Sequence, residues 1–115
     1  MDEIKKPWGC EELIEVNEKY MLKRLTMLKG SRCSLQYHEY KIETVYVLSG
    51  SLKITFGHDI TSLDSKILVS GDSFTIPSGL IHRMEGLSTS IYLEASTPEL
   101  DDVIRLQDDF NRLGK

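Results

Sequence analysis

The chain has 115 residues, enough for one domain with a real core and too few for two. Fourteen basic against eighteen acidic residues give a net charge of -4, and no basic cluster exceeds Lys5-Lys6 or Lys23-Arg24, so neither nucleic acid nor an anionic membrane is an expected partner. No apolar run approaches the roughly 20 residues that span a bilayer, and Met1 to Lys6 has no apolar signal core, so the cytoplasm is the expected compartment.

Short β-type runs separated by turn residues follow one another along most of the chain, which predicts an all-β barrel or sandwich. Leu13-Ile14-Glu15-Val16 reads as a short opening strand. Tyr20 to Leu28 follows, with Leu22 and Leu28 on one face and Met21, Leu25 and Met27 on the other. Lys29-Gly30-Ser31 is a turn, and Cys33 to His38 is the next strand. Glu43 to Leu48 is rich in branched and aromatic residues and strongly β-prone. Ser49-Gly50-Ser51 turns the chain into Leu52-Lys53-Ile54-Thr55-Phe56, where apolar and polar side chains alternate. Gly57-His58-Asp59 is an exposed loop, and His58 is given no role. Lys66 to Val69, Ser73 to Ile76, Ile81 to Glu85 and Ser90 to Glu94 supply four further strands. The period then changes. Val103, Leu106, Phe110 and Leu113 recur at helical spacing after Pro98 and the acidic pair Asp101-Asp102, predicting a short C-terminal helix packed on the barrel. Cys10 and Cys33 are too few for a disulfide framework and read as reduced, partly buried thiols, Cys33 lying on the strand that carries Gln36 and His38.

Two half-motifs stand out. Gly30-(x5)-Gln36-x-His38-(x4)-Glu43-(x6)-Gly50 is followed after a gap by Gly71-(x5)-Pro77-x-Gly79-(x2)-His82. Gln36 and His38 are two apart on a predicted strand and share a face, while Glu43 opens the next strand in phase with Val45 and Val47. His82 follows a rigid Pro77-Ser78-Gly79 bend that can aim its imidazole inward. Taken singly, each would read as a hydrogen-bonded buried polar group. As a set they point to one divalent metal, because four converging polar side chains are costly unless something pairs them. Two imidazoles, one carboxylate and one amide oxygen suit Zn, Mn, Co, Ni or Fe, with positions left for water or substrate.

These motifs resemble the cupin superfamily, with the usual first-motif histidine pair replaced by Gln36-x-His38. Lys6-Pro7-Trp8-Gly9, Ser34-Leu35-Gln36-Tyr37-His38, Ile76-Pro77-x-Gly79-x-x-His82-Arg83 and Asp101-Asp102-Val103-Ile104-Arg105 resemble, more narrowly, the type II phosphomannose isomerases. The same cupin domain forms the C-terminal part of bifunctional mannose-1-phosphate guanylyltransferases. The resemblance runs from Lys6 to Arg112 and implies a single cupin domain over residues 1–115, a double-stranded β-helix or jelly-roll barrel. It implies no guanylyl transfer, since the nucleotidyltransferase half is absent from this sequence.

The activity it implies is interconversion of mannose 6-phosphate and fructose 6-phosphate through a cis-enediol, with the metal held by Gln36, His38, Glu43 and His82. A metal beside the two oxygens stabilises the developing charge, and a base must take the proton alpha to the carbonyl. Tyr40, Lys53, Glu94 or a metal-bound hydroxide are the candidates for that base. Arg105 matches the family's tail arginine as a catalytic candidate, although on a helix it would equally pair with Asp101 or Asp108 at the surface. Arg83 and Lys6 are candidates for binding the phosphate; Arg83 would otherwise face solvent, and Lys6 would be structural like Trp8, which is expected to cap one barrel end. After His38 the family's His-His-Arg becomes Glu39-Tyr40-Lys41, the His-Trp after the glutamate becomes Thr44-Val45, and the terminal Tyr-Gly-Arg becomes Phe110-Asn111-Arg112. Lys41 keeps a charge without arginine's fork, and Glu39 would bring a carboxylate to the mouth of the site. A non-catalytic sugar- or sugar-phosphate-binding cupin and another metal cupin enzyme are the alternative readings. Exposed sheet edges predict a homodimer.

Overall fold

Alternation of apolar and polar side chains dictates most of the strands. In the computed structural model, which describes residues 2–113, the chain forms β1 (Asp2–Lys6), β2 (Gly9–Val16), β3 (Met21–Met27), β4 (Leu35–Tyr37), β5 (Glu43–Ser49) and β6 (Ser51–Gly57). There follow β7 (Asp64–Val69), β8 (Ser73–Ile76), β9 (Ile81–Gly86), β10 (Ser90–Ser96) and β11 (Ile104–Gln107). Two antiparallel sheets result, in the orders β1-β2-β3-β10-β5-β8 and β11-β4-β9-β6-β7. Leu25, Val45, Val47 and Tyr92 from the first sheet pack with Leu52, Ile54, Leu68 and Met84 from the second in one buried cluster. The expected all-β jelly roll is therefore present. Among the described residues no helix is long and apolar enough to cross a membrane.

The tail departs from expectation. Residues 104–107 form β11 on the edge of β4, pairing Ile104 with Tyr37 and Arg105 with Gln36, and no helix is present among the described residues. A lone helix of this length is marginal in water, whereas the edge of β4 offers unpaired backbone groups that β-branched Val103 and Ile104 suit. The opening also differs. β2 begins at Gly9 rather than Leu13 and pairs with β1, whose polar sequence carries no apolar alternation to reveal it. The Ser49-Gly50-Ser51 turn behaves as read. Gly50 has φ of 87°, and a Cβ there would lie 2.3 Å from Ser90 Oγ, so both the conformation and the space demand glycine.

Candidate metal centre

Period-2 alternation turns Glu43, Val45 and Val47 of β5 inward together, and all three are buried. His82 and Met84 of β9 face the same interior, and His38 follows directly on β4. The Pro77-Ser78-Gly79 bend serves both imidazoles. Its Gly79 N–H donates to the His38 carbonyl at 2.7 Å, and the next residue's carbonyl, Leu80 O, accepts from His82 Nδ1 at 2.9 Å. His38 Nδ1 in turn donates to the Asp102 carbonyl. With both Nδ1 positions engaged by carbonyls, Nε2 of each ring is the nitrogen that faces the interior.

Those two nitrogens meet the Glu43 carboxylate. Glu43 Oε1 lies 3.5 Å from His38 Nε2 and 3.4 Å from His82 Nε2, and the ring centroids are 5.1 Å apart. The potential ligand atoms of His38, Glu43 and His82 all fall within 4.8 Å of one another. His38 Nε2, His82 Nε2 and Glu43 Oε2 are buried and find no hydrogen-bond partner. Acceptors turned toward one another at this depth repel unless a cation or a proton stands between them. Burial favours a neutral Glu43 carboxyl. With a proton rather than a cation between the rings and Glu43, the imidazoles donate to it and, with Lys41, hold it well below the ordinary carboxylate range. The donor set fits a divalent metal.

Gln36 sits beside this cluster, opposite His82 in register and at the cavity wall, with its side-chain oxygen accepting the Ser34 hydroxyl at 2.6 Å. Lys41 is buried and bridges two carboxylates, 3.3 Å from Glu43 and 3.4 Å from Glu94. Burial works against its charge, but Glu94 and Glu43 raise its pKa above the ordinary lysine value. Burial, then the Glu43 charge, push Glu94 up to about 7.

The cluster opens into a cavity of about 430 Å³. Of the residues expected from the sequence, Gln36, His38, Glu43, His82, Lys6 and Arg105 all line it. Arg105 reaches it from β11, and its buried Nε has no hydrogen-bond partner. Arg83 does not reach it. That guanidinium donates to the Cys33 carbonyl at 2.9 Å and the Gln107 carbonyl at 3.5 Å, and it is buried rather than solvent-facing. Among the named candidates for a base only Glu94 lines the cavity; Tyr40 is 71% exposed. Glu39 is exposed and also off the cavity, so the carboxylate expected at its mouth points elsewhere. Cys33 does border the cavity, and burial pushes its thiol up to about 11, so it is a protonated wall residue there. Trp8 is buried in the core and lines the same space. The sequence reading missed Glu11 and Lys23 as cavity residues. Their signal was available: each is a charged residue placed in phase with apolar inward positions, Glu11 with Leu13 and Lys23 with Met21, Leu25 and Met27.

Two antiparallel sheets enclosing a pair of histidines and a glutamate define a cupin, and solved cupin structures share the architecture. CapF of Staphylococcus aureus superposes with a TM-score of 0.78 at 17% identity, over 91% of this chain and 34% of CapF. KdgF from Halomonas gives 0.76 at 18%, over 88% and 91%, and a variant of Bacillus subtilis oxalate decarboxylase OxdC gives 0.81 at 18%, over 91% and 30%. At the level of sequence, residues 1–108 match the family described as mannose-6-phosphate isomerase C-terminal, and the chain belongs to that family. Mannose-1-phosphate guanylyltransferase of Escherichia coli K12 is 32% identical over 96% of this chain, and the xanthan biosynthesis protein XanB of Xanthomonas campestris is 29% identical over 95%. The chain spans 23% of the length of each of those relatives.

Proposed function

We propose that the protein is a metal-dependent, cytoplasmic sugar-phosphate isomerase that interconverts mannose 6-phosphate and fructose 6-phosphate. The observation that carries this reading is the convergence of two buried imidazole nitrogens without hydrogen-bond partners, from His38 and His82, and the buried Glu43 carboxylate on a cavity wide enough for a small sugar. Family membership supplies the substrate class. These three residues hold the metal, with Gln36 as the fourth candidate. A bound divalent ion supplies Lewis-acid stabilisation of charge on the C1 and C2 oxygens.

The chain's own groups do the rest. Glu94 takes the proton from C2 of the open-chain aldose and returns it to C1, while the hydroxyl proton of C2 moves to the C1 oxygen as the ketose forms. Lys41, fixed between Glu43 and Glu94, offsets the charge of both carboxylates. Arg105, whose Nε is buried in the cavity wall without a partner, orients the substrate and meets negative charge there. Lys6 takes the phosphate; Arg83 is occupied by backbone carbonyls. Exposed Ile67 and Val69 on edge strand β7 suit the expected homodimer, to be read from the mass in solution.

The test is turnover of mannose 6-phosphate by metal-reconstituted protein, followed as fructose 6-phosphate against a metal-stripped control. Metal-dependent product is expected. Folded, metal-loaded protein that forms no product contradicts the isomerase reading.

A further inference from the structure

The cavity has a second polar pole, separate from the histidine cluster. Lys23 on β3 stands among Met21, Leu25 and Met27 on the inward face and is only 9% exposed. Its ammonium lies 3.0 Å from one oxygen of Glu11, and Lys6 Nζ lies 3.8 Å from the other. Ile4, Trp8 and Leu13 complete this end of the wall. An ion pair in such surroundings is poor as a stabilising device, because desolvation of the two charges offsets their attraction and hydrocarbon side chains would serve as well. The set also does not balance. By ion-pair contact two ammonium groups share one carboxylate, since Glu94, opposite Lys23 in register and within reach of its charge, makes its ion pair with Lys41. Lys23 has three N–H donors with Glu11 as its single ion-pair partner among the described residues.

Strand register places this pole relative to the cluster. Lys23 lies opposite Glu94 on β10, and Glu43 on β5 lies opposite Ser96 of the same strand. β3 and β5 flank β10, so the poles are two strand spacings apart, about 10 Å. Glu94 stands between them and makes its ion pair with Lys41, on the cluster side. A ligand with vicinal oxygens at one end and an anionic group at the other would bridge the two poles and pass over Glu94.

We propose that Lys23 and Lys6 form the anion subsite for the phosphate of the substrate, and that Glu11 sets the subsite's net charge. The identity of the ligand rests on the sugar-phosphate reading above; the anion subsite itself does not. Inorganic phosphate is the probe, titrated calorimetrically into metal-stripped protein, with mannose 6-phosphate and mannose as further arms. Wild type is expected to bind phosphate and mannose 6-phosphate, and mannose far more weakly. Lys23→Met removes a charge-assisted donor and is expected to weaken phosphate binding about tenfold or more. Glu11→Gln, nearly isosteric, is expected to tighten it severalfold, an effect that a misfolded variant cannot produce. Phosphate affinity unmoved by both substitutions, or no saturable binding to wild type, overturns the subsite. Turnover of mannose 6-phosphate with such unmoved affinities sinks the subsite alone. Phosphate binding that follows the expected order, without turnover by the metal-loaded protein, sinks the isomerase reading alone.

Discussion

Replacing His38 and His82 together by alanine is expected to leave the purified protein without bound divalent metal and to lower turnover of mannose 6-phosphate by about a thousandfold or more. Lewis-acid stabilisation in such sites contributes several kcal/mol to the barrier, and about 4 kcal/mol corresponds to that factor. The double variant also removes two buried Nε2 atoms that have no hydrogen-bond partner, while Glu43 keeps its ion pair with Lys41 at 3.3 Å. Its metal-free fold should therefore survive. Thermal unfolding separates the two effects. Wild type should gain stability when metal is added, since the ion binds only the folded cluster, and the variant should not respond. Metal retained at wild-type stoichiometry, or a thermal midpoint that still rises with metal, would remove His38 and His82 from the centre.

Asp102→Ala is expected to reach the same centre from a distance. The Asp102 carboxylate accepts the backbone N–H groups of Glu39, Tyr40 and Lys41 at 3.0, 2.8 and 2.9 Å, and its carbonyl accepts from His38 Nδ1. One residue thus fixes the loop leading from His38 to Glu43 and the orientation of the His38 ring. Loss of the side chain strands three N–H donors that water can partly rescue, at a cost of about 2 kcal/mol in folding stability. Loosening of the carbonyl should lower metal affinity by roughly 10- to 100-fold, the usual effect of losing a group that orients a ligating histidine. Denaturant unfolding reads the first effect and metal titration the second. Unchanged metal affinity in a destabilised variant would confine Asp102 to a structural role.

The cluster of His38, Glu43 and His82 was legible because it obeys strand periodicity. Gln36 and His38, and Glu43 with Val45 and Val47, fall in phase on short β-prone runs, and the turns around them use the positive φ open to glycine and the fixed φ of proline. The tail was misread for a reason that is equally local. Val103, Leu106 and Phe110 repeat at three and four residues, but over so few positions the spacing does not distinguish a helix from a strand that finds a free sheet edge. Asp102 was invisible as an organiser, since its partners lie more than 60 residues away in sequence. Arg83 shows the limit of carrying a family position over. It follows the ligand histidine on β9, yet neighbouring residues of a strand face opposite sides, and this one turns its guanidinium to Cys33 and Gln107. In the loop after His38, Glu39 and Tyr40 are exposed and Lys41 turns inward to Glu43 and Glu94. Of the residues that depart from the family pattern, Glu39, Tyr40 and Thr44 lie off the cavity, whereas Gln36, Lys41 and Val45 line it.

The central claim is that His38, Glu43 and His82 hold a divalent metal, and cobalt(II) titration of the metal-stripped protein tests it most directly. Cobalt reports its own coordination by visible absorption and suits the same nitrogen and oxygen donors as zinc. The expected result is a ligand-field band that saturates at about one equivalent and is bleached by a competing chelator. Absorption that stays that of the aqueous ion through several equivalents, in protein shown to be folded, would contradict the metal centre and the isomerase built on it.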